Sequence, residues 1–124
     1  MLIIESNKIS ITRGDDAVLE VQPITSNGFI YQMHELDTLT LSVCKRPDIG
    51  AHALLQVSSI PGSNRIVIRS EDTVNIEPGT YSADIQLTTW DNKRFTVWPQ
   101  LNPQTRTSTY NWKNFIIMPE VTHL

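Results

Sequence analysis

Apolar and polar residues alternate with a period of two along most of the chain. Between residues 38 and 44, for example, Leu39, Leu41 and Val43 fall on one side of an extended chain, and mainly threonine and serine fall on the other. This alternation is typical of β-strands that bury one face and expose the other. It predicts seven strands, at residues 8–12, 16–22, 38–44, 65–69, 80–89, 94–98 and 114–122.

Turn-forming residues separate most of these segments. They include Gly14, Asn27-Gly28, Pro61-Gly62, Pro78-Gly79 and Asp91-Asn92. Glycine and asparagine tolerate the positive φ of tight turns, and proline fixes φ at a turn position. No stretch repeats apolar residues at helical spacing. The sequence therefore predicts an all-β fold, an antiparallel β-sandwich or a partly closed barrel of seven or eight strands, in a single domain spanning residues 1–124.

The composition supports this fold class and narrows the choice of partners. Isoleucine, valine and threonine account for 35 of the 124 residues and alanine for only 4, a balance that favours sheet. The net charge of −3 provides no basic surface for nucleic acid or anionic membranes. The chain has no signal-peptide pattern and no apolar run near the about 20 residues of a membrane span. We therefore expect a protein that is made in the cytoplasm, binds no nucleic acid and does not insert into a membrane.

Residues 99–113 interrupt the strand pattern with a mostly polar segment that contains two prolines. A connection of this length without a strand pattern is uncommon in a compact domain and is often functional. The segment and its flank carry Trp98, Leu101, Tyr110 and Trp112. Two interpretations remain open. The segment is a hairpin whose aromatic side chains pack against the sandwich, or it is an arm that docks on another subunit, where tryptophan and tyrosine are favoured.

A structural role is predicted for Asp72 and Tyr81. The residues between them end in Pro78-Gly79 and lead into the predicted strand at 80–89. In immunoglobulin-like sandwiches, a tyrosine near the start of a late strand donates a hydrogen bond to the backbone a few residues upstream and fixes the corner between the sheets. We expect Tyr81 to take this role and Asp72 to cap a short turn.

Catalytic and metal-binding patterns do not occur in the sequence. His34, His52 and His123 are far apart, whereas metal ligands commonly lie at short spacing on one element. The chain has no serine-nucleophile motif, no glycine-rich phosphate loop and no zinc-protease motif. We therefore predict no enzymatic activity and no catalytic, metal-binding or cofactor-binding residues.

Four segments, in order, resemble the N-terminal domain of phage baseplate upper proteins, which occur in tailed phages and prophages of Gram-positive bacteria. The segments are ITRGDDAVLEV, LDTLTLSVCK, EDTVNIEPGTYSADIQLTTWDNKRFTVWP and NFIIMPEVT. The third contains the most recognisable block of that family, Gly-x-Tyr-x-x-Asp-Ile-Gln-Leu, which begins at Gly79. The ordered set of four is more specific than any one of them.

The resemblance implies an immunoglobulin-like β-sandwich that acts as a non-enzymatic structural module of the tail baseplate. Members of that family assemble with other tail proteins, often as trimers, so the resemblance also implies a homo-oligomer located in the virion. The segment at 99–113 is longer than the corresponding link in the family, and the chain ends near the end of the family's first domain. Both features fit a stand-alone variant with its own docking arm.

A carbohydrate-binding β-sandwich is the alternative function. Such modules stack sugar rings on exposed aromatic side chains in a shallow site. The candidates for this platform are Trp90, Trp98, Tyr110 and Trp112.

Overall fold

The structure, a computed structural model, describes residues 2–5, 8–25, 27–45, 52–99 and 113–120. Within these ranges the regular structure is nine strands and one single-turn helix. They are β1 (Leu2–Glu5), β2 (Lys8–Thr12), β3 (Ala17–Glu20), β4 (Thr38–Cys44), β5 (Leu55–Ser58), β6 (Arg65–Ile68), α1 (Ser70–Thr73), β7 (Gly79–Thr88), β8 (Arg94–Trp98) and β9 (Phe115–Met118). The prediction of an all-β fold is confirmed.

Seven of these strands form one mixed sheet, and the other two form a small second sheet. The large sheet has the order β1-β2-β9-β7-β4-β5, with β8 also paired to β7, and the small sheet pairs β3 with β6. Strands β2 and β9 are parallel, whereas the other pairs among the described strands are antiparallel. The arrangement differs from the predicted one in this parallel pair and in β1 and β5, which the alternation did not predict.

Strand β7 is the longest strand and organises the large sheet. Its residues 82–88 pair with β4, its first three residues pair with β9, and residues 85–88 pair with β8. Between the β8 and β9 pairings, the side-chain amide of Asn114 bonds to the β7 backbone. Its Oδ1 accepts the Ala83 N–H at 2.8 Å, and its Nδ2 donates to the Ala83 carbonyl oxygen at 2.9 Å. This amide takes the place of a neighbouring strand at Ala83.

The hydrophobic core lies between the two sheets, which gives the fold its sandwich-like character. Burial alternates along β4, where Leu39, Leu41 and Val43 are inaccessible to solvent. From the small sheet, Ile66 and Ile68 pack into the same cluster. The remaining members of the cluster are Ile9, Ile11, Leu19, Leu55, Tyr81, Ala83, Ile85, Leu87, Phe115 and Ile117. Each large apolar side chain buried in this way stabilises the fold by about 1.5–3 kcal/mol.

Two carboxylates bond to the backbone at the start of α1. Asp72 Oδ2 accepts a hydrogen bond from the Arg69 N–H at 2.7 Å. Asp16 Oδ1 accepts one from the Ser70 N–H, also at 2.7 Å. The first N–H groups of a helix have no partner within the helix, so both carboxylates stabilise this turn.

Tyr81 lies at the same end of the sandwich, near the start of β7. Its hydroxyl donates a hydrogen bond to the carbonyl oxygen of Glu77, four residues upstream, and its ring belongs to the core. Burial, together with the negative charge of Glu77, raises the pKa of the Tyr81 hydroxyl above its ordinary value. The hydroxyl therefore remains a hydrogen-bond donor well above neutral pH.

Replacing Tyr81 by phenylalanine is expected to lower the free energy of unfolding by about 1–3 kcal/mol, because the Glu77 carbonyl loses its donor while the ring stays packed. Urea unfolding followed by circular dichroism measures the change. Thr80→Val, at the neighbouring exposed position, is the control and should change stability by less than about 0.5 kcal/mol. If Tyr81→Phe unfolds at the wild-type midpoint, the corner role of Tyr81 is wrong.

Candidate interaction surface

Three loops meet at one end of the sandwich, which we call the loop end. It comprises residues 21–25 and 27–37 between β3 and β4, residues 59–64 between β5 and β6, and residues 89–93 between β7 and β8. The antiparallel registers place β3, β5 and β7 so that they finish where β4, β6 and β8 begin. Loops gathered on a rigid scaffold in this way commonly carry binding residues.

Asp37 holds the three loops together. Its side chain is fully buried. Oδ2 accepts the Tyr31 hydroxyl at 2.6 Å and the His34 N–H at 2.9 Å, and Oδ1 accepts the Trp90 N–H at 2.9 Å. The Asp37 backbone carbonyl accepts a further hydrogen bond from the Gly62 N–H at 2.8 Å. One residue is therefore bonded to its own loop and to both of the others.

The hydrogen bonds around Asp37 keep its carboxylate ionised. Burial by itself raises the pKa of Asp37, but the hydrogen bonds from Tyr31 and from the backbone of His34 and Trp90 outweigh the burial and leave the pKa below its ordinary value. The hydrogen bond to Asp37, followed by burial and by the charges of Asp37 and Asp91, raises the pKa of Tyr31 to about 12. The pair is therefore a carboxylate and a neutral phenol throughout the physiological range.

We expect the Tyr31 hydroxyl to ionise near pH 12 in the folded protein, well above its ordinary pKa of 10.0. Because the folded-state pKa is the higher one, the stability that this hydroxyl contributes is complete below about pH 10 and is lost as the pH rises through about 12. Absorbance titration of tyrosinate in the wild type and in Tyr31→Phe isolates the transition as a difference. A difference transition near pH 10 would contradict the buried hydrogen bond to Asp37.

Residues 23–25 and 27–31 belong to a small turn that is fixed by backbone hydrogen bonds. The Thr25 N–H donates to the Phe29 carbonyl oxygen at 2.8 Å, and the Tyr31 N–H donates to the Pro23 carbonyl oxygen at 2.9 Å. The Phe29 N–H in turn donates to Thr25 Oγ1 at 3.2 Å. Phe29 is nevertheless 70% exposed. The turn therefore presents a large apolar side chain on an ordered backbone.

Exposed apolar side chains are concentrated at the loop end. Of the twelve large apolar side chains that are exposed among the described residues, seven lie on the loop end or at the adjoining start of β8. We call these seven the apolar patch: Ile24, Phe29, Ile30, Leu36, Ile60, Trp90 and Phe95. Exposed apolar residues on a monomer are normally scattered singly, so a concentration of this kind makes the loop end a candidate interaction surface.

Contacts join the segment around Glu35 to the other two loops. The rings of His34 and Trp90 lie 5.4 Å apart, inclined at 30°, and the Leu36 N–H donates to His34 Nδ1 at 3.1 Å. On the other side, Gly62 approaches Glu35 so closely that a Cβ on Gly62 would lie 2.9 Å from the Glu35 carbonyl oxygen. The segment around Glu35 therefore lies between the other two loops.

Gly62→Ala is expected to destabilise the protein by about 1–3 kcal/mol more than Gly28→Ala. Both glycines have positive φ, 85° and 84°, where any Cβ costs about 1–2 kcal/mol. The added Cβ at residue 62 would also collide with backbone atoms of Glu35, whereas nothing lies within 4 Å of the one at residue 28. Thermal unfolding of the two variants measures the difference. Equal losses would contradict the close approach of the two loops.

The predicted aromatic arm is only partly described. Leu101, Tyr110 and Trp112 lie outside the described residues. Trp98 is half-buried at the end of β8 and packs against the core. Trp90, by contrast, is 61% exposed. Of the two tryptophans that the structure describes, only Trp90 presents most of its surface to solvent.

Asp37 is a site residue that sequence reasoning missed. The alternation of β4 contained a signal for it, because Asp37 lies two residues before Leu39 and four before Leu41 and so falls on the same side of an extended chain. Continuing the alternation of β4 backwards therefore directs the Asp37 side chain to the core. No comparable signal existed for the exposure of Phe29 and Ile60, since neither lies in a periodic segment.

Neither a metal centre nor a membrane-spanning helix is found in the part of the chain that the structure describes. There, no three histidine, cysteine, aspartate or glutamate side chains are grouped so that they could hold a metal ion. No helix in the described ranges is long and apolar enough to cross a membrane.

The fold and the loop end together define a class of protein: a sandwich-like all-β domain with an ordered apolar surface at one end. No protein-family model matches the chain, and neither the curated proteins nor the solved structures contain a significant match to it. The arguments about function therefore depend on the residues and their geometry.

Proposed function

We propose that this chain is an immunoglobulin-like β-sandwich that serves as a non-enzymatic structural subunit of a phage or prophage tail baseplate. In variable-type immunoglobulin domains, strands G, F, C and C′ belong to one sheet and strands B and E to the other. The order β9-β7-β4-β5 and the separate pair β3-β6 match these two groups. The hydrogen bond from Tyr81 to Glu77 matches the corner tyrosine of that fold. These matches support the immunoglobulin-like part of the proposal.

The apolar patch is the observation that carries the contact function. Large apolar side chains in water are unfavourable unless a partner covers them. The backbone beneath the patch is held by the buried carboxylate of Asp37. A surface that is ordered before binding loses little conformational entropy when a partner docks. Both properties suit a subunit that works through protein–protein contacts.

The remaining parts of the proposal follow from the sequence resemblance. The protein is made in the cytoplasm and enters the virion at the tail baseplate, where it associates with other tail proteins and with copies of itself. Its role involves no nucleic acid and no membrane insertion, in keeping with its net charge of −3.

Mass spectrometry of purified tailed particles tests the assignment to a baseplate. Particles from cells that carry this gene should contain the chain in a fixed ratio to the tail proteins, and antibodies against it should label the tail tip in electron micrographs. Particles that assemble normally and lack the chain would refute the assignment.

A carbohydrate-binding function is the second candidate, because Trp90 is 61% exposed and its ring lies 5.4 Å from that of His34. An exposed indole beside an imidazole offers a stacking face and a hydrogen-bonding group to a sugar ring. Tryptophan fluorescence titrated with a panel of glycans tests it, with Trp90→Ala as the matched variant. A saturable shift that Trp90→Ala abolishes favours sugar binding, and no shift in the wild type removes this candidate.

A further inference from the structure

We propose that the outer edge of β8 binds an extended segment of another protein, which adds to the large sheet as a further strand. The inference rests on the proposed function of this chain as a subunit that works through protein–protein contacts. It names one such contact and the kind of segment that makes it. Strand addition gives affinity through main-chain hydrogen bonds and specificity through alternate side chains.

The outer edge of β8 is open. β8 pairs with β7 on one side, and no other strand in the described part of the chain pairs with it. Arg94, Phe95 and Thr96 are all exposed. A strand at the edge of a sheet presents unpaired N–H and C=O groups, which are a template for pairing with another chain.

The register shows which backbone groups face this edge. The Thr89 N–H donates to the Lys93 carbonyl oxygen at 2.8 Å. In an antiparallel ladder, pairs that exchange backbone hydrogen bonds alternate with pairs whose N–H and C=O groups point away from each other. Counted from this first pair, Arg94 and Thr96 belong to pairs of the second kind. Their N–H and C=O groups therefore face outward, two residues apart, as an extended polypeptide requires of its partner.

Phe95 gives the added strand an apolar side chain to cover. It is paired with Leu87, a core residue that is 3% exposed, and residues directly opposite each other lie on the same face of a sheet. Phe95 is thus on the core face, yet it is 51% exposed. On β5, the strand at one end of the sheet order, the core residue Leu55 is 6% exposed. An added strand would therefore cover more apolar surface at β8 than at β5.

The neighbours of Phe95 define the rest of the segment. Arg94 and Thr96 lie on the outer face of the sheet, since side chains alternate along a strand. An antiparallel strand, which is the more stable kind of pairing, would place one residue opposite each of the three. An acidic residue opposite Arg94 is stabilising. The expected segment therefore has a polar residue opposite Thr96, an apolar residue opposite Phe95 and an acidic residue opposite Arg94.

NMR titration of the full chain with a synthetic peptide tests strand addition. The probe is acetyl-Thr-Thr-Ile-Glu-Thr-amide, in which an antiparallel alignment puts isoleucine opposite Phe95 and glutamate opposite Arg94. We expect saturable shifts at β8 with a dissociation constant of about 1 mM or lower. Hydrogen exchange should become slower at the amides of Arg94 and Thr96. The Phe95 amide already faces β7 and should gain no protection from the peptide.

Two N-methylated forms of the probe show whether the backbone carries the binding. The N–H of the glutamate would face β8, so methylating it should weaken binding about tenfold or more. The N–H of the isoleucine would face away from β8, so methylating it should change the affinity by less than about twofold. The two forms have the same composition, so a difference between them reports the edge that the peptide uses.

A charge exchange tests the alignment of the segment. Arg94→Glu should weaken binding of the probe about threefold, and should strengthen binding of a probe with lysine in place of glutamate by a similar factor. Lys45→Glu is the matched control, because it makes the same change of charge at an exposed residue just after β4. It should bind the probe like the wild type.

Three results would overturn the proposal. They are the absence of saturable shifts with the probe, equal binding of the two methylated forms, and protection of the Arg94 and Thr96 amides in the protein alone that increases with its concentration. The last result would assign the edge to a second copy of this chain.

Strand addition and the baseplate assignment fail independently. A chain that is present in purified particles but binds no probe at β8 overturns strand addition and leaves the baseplate assignment standing. A chain that is absent from particles overturns that assignment, whereas edge-specific binding of the probe still supports the open edge as a docking site.

Discussion

Replacing Asn114 by alanine is expected to lower the free energy of unfolding by about 3–5 kcal/mol. The Asn114 side chain is almost completely buried, and its amide is bonded to both the N–H and the carbonyl oxygen of Ala83. Alanine removes both partners from the Ala83 backbone, at about 1–3 kcal/mol for each group left unpaired. It also leaves a cavity beside the core, which adds to the loss.

Two measurements test the role of Asn114. Urea unfolding gives the change in stability, with Asn75→Ala as the control, since Asn75 is exposed and its removal should change stability by less than about 0.5 kcal/mol. Hydrogen exchange should show that the Ala83 amide loses its protection in Asn114→Ala. An Ala83 amide that remains as protected as in the wild type would mean that Asn114 does not take the place of a neighbouring strand.

The Asn114→Asp variant separates the donor of the amide from its acceptor. An aspartate keeps an oxygen for the Ala83 N–H, but its second oxygen faces the Ala83 carbonyl and cannot donate while it is ionised. Burial raises the pKa of such a carboxyl, so the protonated form, which can donate, is favoured in the folded state. The stability difference from the wild type should therefore shrink as the pH falls through the raised pKa.

Alternation predicted the bounds of three strands. The predicted segments 8–12, 38–44 and 94–98 have the same bounds as β2, β4 and β8. The burial of β4 shows the same period of two, since Leu39, Leu41 and Val43 are buried and the residues between them are half-buried. Strand β1 was missed because Leu2, Ile3 and Ile4 are consecutive and show no period. Strand β5 was not predicted although it also alternates, with Leu55 and Val57 on one side and Gln56 and Ser58 on the other.

The loop end could not be predicted in the same way because the contacts that build it are distant in sequence. Asp37 and Trp90 are 53 positions apart. Outside the loop end, Asn114 and Ala83 are likewise 31 apart. A local pattern carries no information about such pairs. The alternation of β4 indicates that the Asp37 side chain points inward, but only the fold shows which N–H groups donate to it.

Replacing Asp37 by alanine is expected to destabilise the protein by about 3–5 kcal/mol and to loosen the two loops that its side chain joins, at residues 27–37 and 89–93. The Tyr31 hydroxyl and the N–H groups of His34 and Trp90 lose their acceptor together. Because these donors belong to two loops, the loss of order should extend beyond residue 37 to both loops. Hydrogen exchange should accelerate at the amides of His34 and Trp90, while the core amides of β4 follow only the change in global stability.

The Asp37→Asn variant shows why a carboxylate is required and not just a side chain of that shape. Either orientation of the amide turns its NH₂ group toward a backbone N–H, that of Trp90 or that of His34, so the variant should lose about 2–3 kcal/mol. Glu35→Gln, an exposed change in the same loop, should lose less than about 0.5 kcal/mol.

The folded-state pKa of Asp37 is below its ordinary value of 3.8, so the stability it contributes is present above that value and is lost as the pH falls through the folded-state pKa. Asp37→Asn should lack this acid-dependent part, and a variant as stable as Glu35→Gln would show that the loops at 27–37 and 89–93 are held by something other than the Asp37 carboxylate.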